Sequence, residues 1–410
     1  MTNYRATLLC LVLSLALVHP VAGQTTVRWM AGAIAVSTTV DPIPEGGRLT
    51  ELRVVQPVVG GHGAFFNGKI WWKATLDFEG ITIPEGELTP GAFGEGFVDR
   101  RHPHTYAHEL MAGTTAQWSG GKWGVGLAAG KGFPSFGSDD PMGRDPVRFP
   151  VNHHWAQILE RAVVTGQFRY RLVVLEGSLF NGDEPESPGD QPNLRRFGDS
   201  WSARLSINPT GDLEFQASTA SVLAPEHPEA EGHHQRMFSI GGRLERSIAG
   251  RPWYVMAEWG RTSEADGAFI FHSFLGEGAT NMGRHRLYYR FERTDRPEEE
   301  RLSAFRTPRP PLDDNLIGIT RWTIHTIGNR FAIWRPGNAV IEPFVEGSLI
   351  QVNKVGEGIF NTRDYYTKDR IWSLSVGMRV GLGMMGHRMG RYGLLVQPMG
   401  PRHEEHMHDQ

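Results

Sequence analysis

One histidine-rich segment, DRRHPHTYAHE, has the residue types best suited to chemistry in this chain. It places three histidines, two acidic residues and two arginines within eleven positions, from Asp99 to Glu109. Pro103 restricts its own backbone and favours extended geometry before it, so His102 and His104 can point the same way. Neutral imidazoles suit zinc, copper and nickel, and Asp99 or Glu109 could add an oxygen ligand. The segment predicts a divalent-metal site if other elements position it.

Such a site needs a further ligand from elsewhere in the chain. The segment FPVNHHW supplies His153 and His154 at the end of the next long connection. The connection 222–235 adds His227, His233 and His234. If the segment around His153 is extended, only one of that adjacent pair can join, because successive strand side chains point to opposite faces. In the alternative, these histidines anchor loops through hydrogen bonds to the backbone and to carboxylates.

The C-terminal tail interleaves methionine and histidine in the segments MMGHRMGRYG and HEEHMHDQ. Thioether and imidazole together form a ligand set that favours copper. The candidate ligands are Met384, Met385, His387, Met389, His403, His406, Met407 and His408. The alternative is a solvated tail without a bound ion. Copper or zinc is therefore the cofactor that these patterns suggest.

The N-terminal residues predict an export signal. Arg5 precedes the apolar run ATLLCLVLSLALV, and the small-residue segment HPVAG follows it. The run is shorter than the about 20 residues that a membrane-spanning helix needs, which favours a removed signal over a retained helix. We expect residues 1–23 to be removed by cleavage after Gly23. Cys10 is the only cysteine, so the mature chain should have none. Disulfides, a thiol nucleophile and thiolate zinc sites are then excluded.

Composition narrows the class of protein further. Hydrophobic residues make up 40% of the chain and its mean hydropathy is −0.34, which excludes a bundle of membrane helices. The formal net charge of −3 argues against nucleic acid as a partner. The 50 glycines and 12 tryptophans are many for an ordinary soluble domain. No linker divides the chain, so we expect one barrel over residues 24–384 and a tail over 385–410.

Alternating hydrophobicity predicts β-strands with one apolar and one polar face. In DSWSARLSI, Trp201 and Leu205 share a face and Arg204 lies on the other. After the turn NPTG, the segment DLEFQAS repeats this alternation and completes a hairpin. The polar faces are too charged for the core of a β-sandwich. A transmembrane antiparallel β-barrel, with its apolar faces toward outer-membrane lipid, fits this pattern.

Counting such segments gives about sixteen strands, with fourteen as the alternative. The predicted centres are Ala33, Val54, Thr75, Gly113, Leu127, Val163, Leu175, Leu205, Ala217, Gly242, Ala257, His272, Tyr289, Thr320, Val345 and Val376. From the third strand onward, long connections mostly alternate with short ones such as SGGK and AGR. We expect long extracellular loops and short periplasmic turns, with both termini on the periplasmic side.

The last predicted strand, SLSVGMRVGL, has the spacing of an assembly signal for outer-membrane barrels. Ser375, Gly377, Val380 and Leu382 match its polar, glycine, hydrophobic, hydrophobic order. This predicts the barrel-assembly machinery as a partner and the bacterial outer membrane as the location. Such barrels usually end at this signal with an aromatic residue, whereas this chain continues to Gln410. The alternative is a soluble, exported all-β domain.

The segments DRRHPH, NHHWAQ, LEGSLFNG and DSWSARLSINPT, in this order, resemble a group of porin-like outer-membrane β-barrels of Gram-negative bacteria. The resemblance runs from about Trp29 to Arg293. It implies a β-barrel in the outer membrane and no established substrate. Members of the group often have Asp directly after His-Pro-His, where this chain has Thr105. The resemblance therefore supplies no carboxylate ligand at that position.

Catalytic motifs are weak in this sequence. HELMA lacks the second histidine that a zinc-protease helix needs after His108 and Glu109. GFPSFG, around Ser135, is not the Gly-x-Ser-x-Gly elbow of a hydrolase. We therefore expect a protein that is not an enzyme.

Passive permeation of small polar solutes or ions is the function that this sequence favours, since about sixteen strands enclose an aqueous lumen. Alternation predicts as lumen-facing charges Arg171, Arg204, Glu214, Glu258, Arg290 and Glu346. Their mixed signs predict no strong preference for anions or cations. One alternative is a barrel that handles copper or zinc ions, and another is a structural or adhesive surface barrel. The sequence leaves open whether the barrel forms a homo-oligomer.

Overall fold

Sixteen antiparallel strands form one closed barrel in the computed structural model of this chain. The structure describes residues 24–43, 46–66, 68–84, 104–185, 187–225, 234–299, 316–335, 337–383 and 388–395. The strands are β1 Gln24–Asp41, β2 Leu49–Phe65, β3 Ile70–Asp77, β4 Ala107–Trp118, β5 Trp123–Gly132, β6 Arg161–Tyr170, β7 Val173–Phe180, β8 Ser200–Thr210, β9 Leu213–Leu223, β10 His234–Ile248, β11 Arg251–Glu264, β12 Phe269–Met282, β13 His285–Glu299, β14 Leu316–Phe331, β15 Ala339–Val355 and β16 Arg370–Gly383. Each predicted strand centre lies within one of them, so the sixteen-strand prediction is confirmed and the alternative of fourteen is wrong.

Each strand pairs with its neighbours in sequence, and β1 pairs with β16 to close the sheet. Short turns, such as 119–122, 171–172 and 249–250, lie at one end of the barrel, and the longer connections lie at the other. Three short helices lie within long connections: α1 Glu79–Thr82, α2 His153–Ala156 and α3 Thr362–Tyr366. Within the described residues, no helix is long and apolar enough to cross a membrane.

The predicted two-faced strands are confirmed by side-chain exposure. On β8, Leu205 is 38% exposed on the outside of the barrel, whereas Arg204 is 1% exposed on the inside. On β9, Phe215 is 49% exposed and its neighbour Gln216 is 7% exposed. The outer face is apolar, as the lipid-facing surface of a membrane barrel must be, and the inner face is polar.

Aromatic side chains surround the end of the barrel that has the short turns. Trp118 and Trp123 flank one turn, and Tyr170 flanks the next, all three with exposed rings. The rings of Trp123 and Tyr170 lie 4.4 Å apart between centroids. Amphipathic rings of this kind form the aromatic girdles of membrane barrels at the boundary between lipid and water.

Two segments fold into the interior of the barrel. The connection between β5 and β6, residues 133–160, is buried along almost its whole length, and we call it the inward loop. Residues 388–395 also lie inside, and we call them the inward C-terminal segment. One apolar cluster joins wall, loop and C-terminal segment through Met30, Val58, Phe133, Met142 and Met389. The sequence predicted a long connection here but left open whether such a loop fills the lumen, and in the structure the inward loop is buried against the lumen wall.

Candidate functional site

The inner face of the barrel carries acidic and basic side chains in pairs. Arg204 on β8 lies opposite Glu176 on β7, and its Nε donates to Glu176 Oε2 at 2.6 Å. Arg290 on β13 lies opposite Glu277 on β12, with the same kind of bond at 2.6 Å. The sheet register thus places opposite charges side by side, and each pair neutralises itself.

Five of the six side chains predicted to face the lumen are inside the barrel: Arg204, Glu214, Glu258, Arg290 and Glu346. The prediction for Arg171 is wrong. Arg171 lies in the turn between β6 and β7, where its backbone has a positive φ of 53° and its guanidinium stacks on Tyr170. The alternation ends with the strand at Tyr170, so it does not apply to the next residue.

Wall carboxylates bind the backbone of the inward loop. Glu346 on β15 accepts hydrogen bonds from the backbone N–H groups of Val147 at 2.7 Å and Arg148 at 3.0 Å. Glu292 on β13 accepts from Val151 N–H at 2.7 Å and pairs with the Arg148 guanidinium. Buried backbone groups must find partners away from water, and here the wall supplies them. These glutamates therefore hold the loop in place.

Asp139 and Asp145 of the inward loop pair with arginines of the wall. Asp145 Oδ2 accepts from Arg286 Nη2 at 2.7 Å, and Asp145 also pairs with Arg330. Burial alone would raise the pKa of Asp145, but Arg330 and Arg286 lower it to about 2. Asp139 pairs with Arg243 and with Arg388, and its pKa lies well below the ordinary value although burial opposes this. Both carboxylates are therefore ionised and paired.

The inward C-terminal segment binds the opposite part of the wall. Arg388 donates to both oxygens of Glu214 at 2.9 and 3.0 Å, and Arg391 donates to the same carboxylate at 2.9 Å. Tyr392 is 1% exposed, and its hydroxyl donates to Glu109 Oε1 at 3.0 Å. The same hydroxyl accepts from the backbone N–H of Phe133 at 3.0 Å. The two inward segments are thus in direct contact.

A polar pocket lies where the inward loop, the inward C-terminal segment and strands β9 to β11 meet. Its lining residues include Asp139, Glu214, Gln216, Arg243 and Arg388. Gln216 projects from β9 into this pocket, and its Nε2 donates to Ser239 on β10 at 3.2 Å. The pocket carries both signs of charge.

A β-bulge at the start of β4 turns two successive side chains into the barrel. Thr75 pairs with Glu109, but the next residue of β3, Leu76, pairs with Ala107, so His108 is the extra residue. Both His108 and Glu109 are 0% exposed. Strict alternation would have placed one of them on the lipid side, and a bulge re-aims a side chain in this way.

The side chains of Asp77, His104 and His108 converge at this bulge, and we call them the histidine cluster. Their potential ligand atoms all lie within 4.8 Å of one another. The rings of His104 and His108 are 5.0 Å apart between centroids. Two histidines and one carboxylate in this proximity form a recognised ligand set for divalent transition metals.

Two acidic side chains of the inward loop face the ring of His108. Its Nδ1 lies 3.7 Å from Glu160 Oε1, and its Nε2 lies 3.8 Å from Asp140 Oδ2. Burial alone would raise the pKa of Glu160, but His108, His104 and the backbone N–H of Thr105 hold it well below the ordinary value. Glu160 is therefore ionised next to the cluster.

The structure brings together only some of the metal ligands predicted from sequence. His153 lies beside His104, with ring centroids 5.9 Å apart, and His154 follows at 4.9 Å from His153. Both belong to the helical turn α2. The segment is not extended, so the argument that only one of the pair could join the site does not apply. Glu109 instead binds Lys73 Nζ at 2.9 Å.

Several other candidate ligands lie outside the described residues: Asp99, His102, His227, His233, Met384, Met385, His387, His403, His406, Met407 and His408. Met389 is buried in the apolar cluster of the inward C-terminal segment, and His234 is exposed at the start of β10.

Asp77 and His108 were not among the ligands predicted from the sequence. Asp77 is the last residue of β3 and faces inward by alternation, which could have identified it. His108 offered a weaker signal. Leu110 is on the lipid side and Glu109 is inside, so simple alternation would place the His108 ring in lipid. The free-energy cost of a polar ring in lipid could have suggested a bulge.

Comparison with known proteins shows the fold. No family model matches the sequence, and no curated protein matches it. The anion-selective porin from Comamonas acidovorans has a TM-score of 0.51 at 8% identity, over 87% of this chain and 99% of that chain. Salmonella typhi OmpF in complex with daunomycin has a TM-score of 0.48 at 9% identity, over 88% and 100%. The outer-membrane protein OmpT of Vibrio cholerae has 0.48 at 9%, over 89% and 99%. The first of these likenesses, together with the closed sixteen-strand barrel, shows that the chain has the fold of an outer-membrane porin.

Proposed function

We propose that this protein is a porin-like channel of the bacterial outer membrane, through which small polar solutes or ions pass by diffusion. The observation that carries this proposal is the closed sixteen-strand barrel with an apolar outside and a charged inside. Such a surface fits lipid outside and water within. The likeness of fold to the anion-selective porin supports the same interpretation.

The inward loop and the inward C-terminal segment occupy part of the lumen and narrow the route, which we place beside the polar pocket at β9 to β11, a cavity with room for about one water molecule. The pocket is lined by two acidic residues, Asp139 and Glu214, and by three arginines that pair with them, Arg243, Arg388 and Arg391. Pore selectivity follows the charges that line the constriction. Since both signs are present and paired, the channel has little preference between anions and cations.

Planar-bilayer recording of the purified barrel in a salt gradient tests this proposal. We expect single-channel steps and a reversal potential close to zero. Gln216→Trp places a large side chain in the pocket and should lower the conductance. Phe215→Trp, on the lipid-facing side of the same strand, is the matched control and should leave it unchanged. A barrel that inserts without conducting would overturn the proposed channel. Equal conductance in the two variants would overturn the proposed route.

Location is tested by fractionation of cells that express the full chain. The mature protein should be found with the outer membrane and should start after Gly23. It should also migrate faster on a gel when unheated, as folded barrels do. Recovery as a soluble periplasmic protein without this heat-dependent shift would contradict the proposed location.

A further inference from the structure

The histidine cluster combines deep burial with polar atoms that have no hydrogen-bond partner. Asp77 and His108 are 0% exposed, and His104 is half-buried. Neither ring nitrogen of His108 has a hydrogen-bond partner, and the same holds for His104 Nδ1 and Asp77 Oδ2. A buried polar group without a partner costs about 1–3 kcal/mol. One ligand atom from each of the three residues lies within 4.8 Å of the others, which indicates a position for a cation.

The carboxylates around the cluster are already oriented by hydrogen bonds on one oxygen each. Asp77 Oδ1 accepts from the backbone N–H of Glu79 at 2.9 Å, which leaves Oδ2 facing the histidines. Glu160 Oε1 accepts from the backbone N–H of Thr105 at 3.0 Å and from its hydroxyl at 2.7 Å. Hydrogen bonds of this kind orient the carboxylate ligands of metal sites. Asp77 is therefore already oriented toward the histidines.

Acidic side chains predominate near the cluster. Asp77, Asp140 and Glu160 are all buried around His108. Lys131 of the inner wall donates to Thr105 Oγ1 at 2.7 Å. The distances of 3.7 and 3.8 Å from His108 to its two acidic neighbours exceed hydrogen-bond length. A divalent cation would bind one nitrogen of each histidine and one carboxylate oxygen.

We propose that Asp77, His104 and His108 bind one divalent transition-metal ion at the extracellular edge of β3 and β4. Imidazole and carboxylate ligands without sulfur suit Zn²⁺ and Cu²⁺. Half-buried His104 gives access from outside. The ion would lie next to the inward loop, because Asp140 and Glu160 of that loop face the ring of His108. This proposal is independent of permeation.

The test uses full-length folded barrel in detergent, in a parent variant with His387, His403, His406 and His408 changed to Gln. These tail histidines could bind metal by themselves, so they are removed by substitution. Zn²⁺ binding is measured by calorimetry, and Co²⁺ is added as a spectroscopic probe of coordination. We expect one ion per chain. His108→Gln should weaken Zn²⁺ binding at least about 10–100-fold, the loss that even an outer-shell partner causes.

His154→Gln is the matched control, since His154 lies near the cluster but outside it. It should bind Zn²⁺ as the parent does. The heat-dependent gel shift shows whether each variant folds, and Asp77→Asn provides a second, nearly isosteric ligand loss. Electron paramagnetic resonance of the Cu²⁺-loaded parent adds a measurement on an unaltered cluster, with two coordinated nitrogens expected.

Three results would overturn the proposal. Absence of Zn²⁺ binding in the folded parent would leave His108 as a buried cation among carboxylates. Equal affinity in the parent and in folded His108→Gln would show that the ion binds elsewhere. A Cu²⁺ spectrum without nitrogen ligands would have the same meaning even if the ligand variants failed to fold.

Discussion

The two segments inside the lumen are attached to the barrel differently. The inward loop is joined to strands at both ends, and wall glutamates accept hydrogen bonds from its backbone, as at Val147 and Val151. The inward C-terminal segment follows the last strand and is held through its backbone, as at Gly390, and through the ion pairs of Arg388 and Arg391 with Glu214. Arg388 is 25% exposed at its side chain, so water already reaches it.

This difference predicts that the inward loop is a permanent part of the fold and that the inward C-terminal segment can be released from it. Backbone amides of a buried loop have no alternative partner, so the loop and the wall carboxylates depend on each other. An arginine that leaves a partly wet site can be solvated again, which reduces the cost of release. The inward loop should therefore be a fixed constriction, and the inward C-terminal segment should be the one that can be displaced.

The largest effect is expected from removing a carboxylate that holds the loop. Glu292→Ala leaves Val151 N–H without its acceptor and the buried guanidinium of Arg148 without its carboxylate. Breaking a buried ion pair by deleting one partner costs about 3–5 kcal/mol. The measurement is the free energy of unfolding in urea for barrels folded into lipid vesicles.

The control for this change is Glu245→Ala. Glu245 also pairs with an arginine, Arg243, but its side chain is 55% exposed. Exposed pairs contribute about 0–1 kcal/mol. Equal losses in the two variants would mean that the inward loop is not held by its contact with Glu292.

A smaller effect with a defined pH dependence is expected at Asp145. Because its pKa is lowered to about 2 in the folded barrel, the ionised carboxylate stabilises the fold above its ordinary value near pH 4. That contribution is lost as pH falls through about 2. Asp145→Asn should therefore reduce the free energy of unfolding by roughly 2–3 kcal/mol at pH 7. The gap between wild type and variant should close toward pH 2.

The free energy of unfolding, measured at several pH values for wild type and Asp145→Asn, gives this difference directly. All other carboxylates are present in both proteins, so their contributions cancel. If the difference in free energy of unfolding has already closed between pH 5 and 4, Asp145 has an ordinary pKa. It would follow that Arg286 and Arg330 do not hold the loop through Asp145.

The barrel itself could be predicted from sequence because alternation is a local property. The faces of Leu205 and Arg204 follow from a period of two, and turn residues mark the strand ends. The same rule placed Glu346 inside, but it could not say that its partner would be Val147, 198 or more positions away in the chain. What fills a lumen depends on distant contacts, which a local pattern does not encode.

The histidine cluster was predicted in part for a related reason. The sequence placed His104 in it, and the bulge then changed the register by one residue and brought in His108. A shift of one residue reverses the face of every side chain beyond it, so a single irregularity decides which residues meet. Pairing with β3 determines that shift, and the segment of β4 alone does not contain it.

A loss of stability with a separate effect on current is expected where the inward C-terminal segment meets Glu214. Glu214→Ala removes the carboxylate that binds both Arg388 and Arg391. Arg388 is partly exposed and can be solvated, but Arg391 is 2% exposed and loses this partner, so the free energy of unfolding should fall by about 1–3 kcal/mol. Release of the segment from the pocket should raise the single-channel conductance.

Glu342→Ala provides the matched control, because Glu342 also faces the lumen but pairs with Arg330 and Arg335. It should not raise the conductance through displacement of the inward C-terminal segment. Limited proteolysis adds a direct readout, because the segment should become cleavable in Glu214→Ala while the barrel stays resistant. If Glu214→Ala leaves both conductance and cleavage unchanged, the remaining bonds of the segment to Glu109 and Gln167 suffice to hold it. The inward C-terminal segment would then be as fixed as the inward loop, and the distinction between them would fail.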